Sequence, residues 1–148
     1  MNIELTKVTK EDLAVSHKSD DYVYSADWKR LINFPPIPED GKFYKGTYHI
    51  SSSTKVICDN ACDIDRCGWL FTDVDIDIRI PEGVTHLGDF VFRGRKLDIV
   101  EIPRSLSYIG KNPFALTSLW KIINHNQKFV FRNDSLIDSE IGKLIHNL

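Results

Sequence analysis

The chain has 148 residues, of which 42% are hydrophobic and 27% charged, with a formal net charge of −2 and three cysteines. That composition fits one globular domain large enough to bury a core without disulfides or metal. The near-neutral charge argues against a nucleic-acid binder. No stretch approaches the roughly 18 apolar residues of a membrane span, and no apolar run after Met1 resembles a secretory signal, so the cytoplasm is the default expectation.

From the N-terminus, Thr9 to His17 fits a short helix, with Thr9 and Asp12 spaced as a capping box. Residues 1–20 therefore read as a helical cap, and residues 21–148 as the main body. Val23-Tyr24, a polar turn at Ala26 to Lys29, and Leu31-Ile32 read as a β-hairpin over 22–34. Pro35-Pro36-Ile37-Pro38 forbids regular structure and reads as a linker.

An internal repeat then begins, and repeats govern the fold where they occur. Ile80-Pro81, Val84, Leu87, Gly88 and Phe92 align without gaps on Ile102-Pro103, Leu106, Ile109, Gly110 and Phe114, at an offset of 22. Leu97 and Val100 continue onto Leu119 and Ile122. A degraded copy lies upstream at an offset of 30, with Ile57, Cys58 and Cys62 in the places of Leu87, Gly88 and Phe92. Its extra residues fall in a long loop from Asp63 to Asp73. After the coils, Leu136-Ile137 and Leu144-Ile145 repeat the first hairpin at an offset of 113, giving a second hairpin over 129–146 with its turn at Ser139 to Gly142.

One coil cannot bury its own apolar face, so coils must stack, and about three are needed. In each, a short strand such as Leu97 to Ile102 puts alternate side chains inward. Pro103 stops the strand, and Leu106 and Ile109 point in from the opposite wall. Gly110 allows a tight bend and Phe114 fills the interior, beside Phe92 of the preceding coil. The outward positions then form two ladders, Asp77–Ile99–Lys121 and Arg79–Glu101–Ile123, with Arg79 and Glu101 as neighbours.

The pattern Ile-Pro-x-x-Val-x-x-Leu-Gly-x-x-x-Phe followed by Leu-x-x-Val-x-Ile-Pro resembles the BspA-type leucine-rich-repeat family. The hairpin from Tyr24 to Pro35 and the segment Ile123 to Asp138 are similar to the insert that alternates with such coils in that family. The resemblance implies a β-rich, right-handed solenoid with one short parallel strand per coil, short helical turns and hairpin units at both ends. Members of that family are often bacterial surface or secreted adhesion proteins.

Few residues suggest chemistry. Cys58, Cys62 and Cys67 are odd in number, and their spacing suits zinc poorly, with His49 the nearest fourth ligand. Buried, reduced thiols at coil positions are the expectation, with no metal and no cofactor. Asp73, Asp75 and Asp77 alternate with Val74, Ile76 and Ile78 as the solvated face of a strand. There is no nucleophile elbow and no phosphate loop, so no catalytic residue is assigned.

A non-catalytic module that recognises a protein partner is the leading expectation. Its contact surface would be the strand face carrying Asp77, Arg79, Ile99, Glu101, Lys121 and Ile123. The alternative is a glycan-binding or adhesion module using Trp69, Phe71 and Trp120 as stacking platforms. These three rings fall off the expected interior positions.

Overall fold

The computed structural model describes residues 3–35, 45–63, 75–115, 117–132, 135–138 and 143–147. It is β-rich with little helix, and its centre is a β-solenoid of about three turns. Among the described residues no helix is long and apolar enough to cross a membrane.

A 3-10 turn, Ile3–Thr6, leads into helix α1, Lys10–Ala14. Thr9 and Asp12 form the expected capping box: Asp12 N–H donates to Thr9 Oγ1 at 3.1 Å, and Thr9 N–H donates to Asp12 Oδ2 at 2.9 Å. The helix is shorter than the sequence suggests. It buries no residue, so no packing extends it, and His17 is drawn into a strand instead.

Strands β1 (His17–Ser19), β2 (Tyr22–Tyr24) and β3 (Arg30–Asn33) make an antiparallel meander that contains the first expected hairpin. Arg30 ties it to the N-terminal segment. Its guanidinium donates to Asp12 Oδ1 at 2.8 Å and to Leu5 O at 2.9 Å.

Each coil carries two parallel strands rather than the single one implied by the family resemblance. The longer strands are β4 (Lys45–Tyr48), β6 (Asp75–Arg79), β8 (Lys96–Ile102) and β10 (Ser118–Asn124), stacked in the order β10-β8-β6-β4. The shorter are β5 (Val56–Ile57), β7 (His86–Leu87) and β9 (Tyr108–Ile109), which extend the meander sheet from β3. The second strand is only two residues long, too short for an alternating apolar signature.

The coils are bonded to one another at repeated positions. The N–H groups of Cys58, Gly88 and Gly110 donate to the carbonyls of Leu31, Ile57 and Leu87 respectively. The N–H groups of Phe34, Cys62 and Phe92 donate to those of Ala61, Val91 and Pro113. Asn60, Phe90 and Asn112, which occupy one coil position, all have positive φ, at 57°, 52° and 43°. Each coil therefore turns at a left-handed residue, a conformation that Asn tolerates better than Phe.

The core confirms the stacking. Phe92 and Phe114 are buried and stack with centroids 5.7 Å apart. Phe34 reaches Phe92 at 6.2 Å, so the aromatic column begins in the meander. Cys58 and Cys62 are both fully buried, at the interior positions expected for them. Burial pushes the Cys58 thiol up to about 12, which keeps it protonated.

Gly88 and Gly110 do not act through a bend, since neither has a positive φ. A Cβ on Gly88 would lie 2.4 Å from Asp59 N, and one on Gly110 would lie 2.7 Å from Asp89 N. Both glycines clear the way for the preceding coil.

The C-terminal unit is a three-stranded antiparallel sheet: β11 (Phe129–Arg132), β12 (Ser135–Asp138) and β13 (Lys143–Asn147). It repeats the N-terminal meander in detail. His17↔Tyr24 and Lys18↔Val23 correspond to Val130↔Ile137 and Phe131↔Leu136. Val23↔Asn33 and Tyr24↔Leu31 correspond to Leu136↔His146 and Ile137↔Leu144, with the irregularity at the same place in each.

Candidate functional site

The outward face of the four longer strands carries a groove of about 550 Å³. It crosses all four strands, lined by Tyr48 and His49 at the end of β4, Asp77 and Arg79 on β6, Ile99 and Glu101 on β8, and Ile123 on β10, with Pro81 at one margin. Five of the six strand-face residues named from the ladders thus come together. Lys121 does not line the groove; it is exposed and pairs in register with Ile99.

Alternation builds this face. Ile78, Leu97, Val100 and Ile102 point into the core and are almost fully buried, so their strand neighbours point out. The Arg79–Glu101–Ile123 ladder forms as expected. Arg79 Nε donates to Glu101 Oε2 at 2.8 Å. His125 Nε2 lies 2.9 Å from Glu101 Oε1, so both carboxylate oxygens are engaged. These contacts, that of His125 foremost, hold Glu101 below the usual carboxylate range.

The other ladder is interrupted. Ile76 pairs with Leu97 but Ile78 with Val100, so two residues, Asp98 and Ile99, stand opposite Asp77 alone. An extra residue of this kind bends a strand and re-aims its side chains. Asp77 Oδ1 is shielded from solvent and has no hydrogen-bond partner among the described residues.

The groove wall is fixed from the meander. Tyr22 and Tyr24 are buried, and their hydroxyls accept the N–H groups of His49 and Ser51 at 2.8 and 3.0 Å. The Tyr22 hydroxyl is held up at about 12, mainly by burial. Sequence reasoning missed these two residues. Their only signal was a pair of aromatics spaced by two on a strand, which says nothing about what their hydroxyls reach.

It also missed the seam on the opposite side, where Asp59 Oδ1 accepts Asp89 N–H and Asp89 Oδ1 accepts Lys111 N–H, each at 2.8 Å. Lys7 Nζ bridges the two carboxylates at 2.8 and 3.0 Å. The recurrence of Asp one residue after Ile57-Cys58 and Leu87-Gly88 was the available signal.

Trp69, Phe71 and Cys67 lie outside the described residues, as do Asp73 and the turn Ser139 to Gly142. Trp120 sits in β10 between Leu119 and Lys121, which pair with Leu97 and Ile99. Among the described residues, no three His, Cys, Asp or Glu side chains cluster as a metal site. Comparison of the chain with protein-family models, curated proteins and solved structures finds no match.

Proposed function

We propose that this protein is a non-catalytic recognition module that holds a segment of a protein partner in the groove across its parallel sheet. The carrying observation is the groove itself, in which Asp77, Arg79, Ile99, Glu101 and Ile123 converge from three strands. Half-buried isoleucines beside fixed charges are the composition of a recognition surface rather than of a solvated sheet face. The 22-residue coil pattern supports membership of the BspA-type leucine-rich-repeat family, whose solenoids offer extended surfaces of this kind.

The test is selection of a random-peptide display library on the immobilised 148-residue chain. Peptides should be enriched on the native chain and lost on an Ile99→Glu, Ile123→Glu variant with an unchanged thermal midpoint. Equal enrichment on both proteins would move recognition elsewhere, and no enrichment on either would defeat the proposal.

A further inference from the structure

Three charged side chains line the groove: Asp77, Arg79 and Glu101. Two of them neutralise each other. Arg79 is bonded to Glu101, whose second oxygen is taken by His125. Asp77 is left. Its Oδ1 is out of contact with solvent and accepts no hydrogen bond from the described residues, although a shielded carboxylate oxygen requires donors. Lys121, the exposed cation of the same face, does not line the groove. Among the described residues, Asp77 is therefore the groove charge without an opposite partner, and it lies at the irregularity opposite Asp98 and Ile99.

The same groove also has apolar wall residues, among them Ile99, Ile123 and Pro81. A side chain that matches such a site needs a donor-rich cationic head and an aliphatic stem, since long basic side chains lay their methylenes along apolar surface. We infer that the groove selects a partner segment by one lysine or arginine, whose head donates to Asp77 and whose stem lies against Ile99 and Ile123. This inference rests on the recognition reading above and specifies the partner for it.

The experiment sequences the peptides enriched on the 148-residue chain and measures the best of them by calorimetry. A basic residue should recur at one position. Its replacement by norleucine, and Asp77→Asn in the protein, should each weaken binding on the order of tenfold, as loss of one partner of a desolvated charge pair does. The two changes combined should cost little more than either alone. Lys121→Gln should leave affinity within about twofold, as expected of a charge outside the contact. Thermal melting of the Asp77→Asn protein checks that it folds.

Enriched peptides with no basic preference, or equal affinity for the native and Asp77→Asn proteins, would overturn the inference while leaving groove recognition intact. A library that yields no binder would remove both.

Discussion

Gly88, Gly110 and Cys58 occupy one coil position, and the difference between them follows from what lies beneath each. Below Gly88 and Gly110 sits the backbone of a preceding coil, too near for a Cβ. Below Cys58 lie β3 of the meander and the N-terminal segment, and Leu5, Val8, Val23, Ile32 and Val56 make a small apolar cluster with it. A side chain fits there and adds burial. Gly110→Ala should therefore destabilise the protein by about 1–3 kcal/mol, the cost of overpacking a tight contact, measured by urea denaturation. A second residue carries the pH dependence. Burial lowers the pKa of His86, whose Nε2 has no partner among the described residues. A neutral His86 in the folded state, against an ordinary histidine near 6.5 in the unfolded chain, means that the unfolded chain binds more protons below that pH. The stability His86 contributes is thus complete above about pH 6.5 and is lost as pH falls towards its lower folded value. Denaturation midpoints from pH 5 to 8 should show this slope in the native protein, and His86→Phe should flatten it.

At the level of elements, much of the architecture was readable because the coil repeats. Eight matched positions at one offset placed β6, β8 and β10 and their inward faces, and the Arg79–Glu101 contact followed from the register alone. What was not readable depends on backbone geometry or on partners far along the chain. The strands β5, β7 and β9 are two residues each, and the insertion opposite Asp77 appears only when two strands are laid together. The contribution of β2 was hidden for the same reason. Tyr22 and Tyr24 reach 27 residues along the chain to hold the backbone at His49 and Ser51. Removing the Tyr22 hydroxyl strands the His49 N–H in a part-buried setting, which costs about 1–3 kcal/mol. Tyr22→Phe should lower stability by that amount, read from chemical denaturation. It should also weaken whatever the groove binds, because His49 and Ile50 form its wall. An unchanged denaturation midpoint would show that the hydroxyl contact is not part of the folded structure.

The molecule as a whole is a coil stack with the same three-stranded unit at each end, and the two copies differ in what lies beside their last strand. In the first, β3 is flanked on both sides, by β2 in antiparallel and by β5 in parallel register. Leu31 O accepts Cys58 N–H, and Phe34 N–H donates to Ala61 O. In the second, β13 pairs with β12 alone among the described residues. Leu144 and Asn147 occupy the places of Leu31 and Phe34, so the backbone groups that bind the first coil in one copy have no second partner strand among the described residues in the other. Strand edges of this kind open locally at small cost, whereas a strand inside a stack opens only with its neighbours. Amide hydrogen exchange should therefore be much slower at Phe34 than at Asn147, although the two residues hold equivalent positions. Within β3, exchange should approach the global unfolding limit, because releasing it uncovers Phe34 and the aromatic column that continues through Phe92 to Phe114. Equal protection at the two positions would mean that the edge of β13 is covered in solution, and the asymmetry between the two ends would vanish.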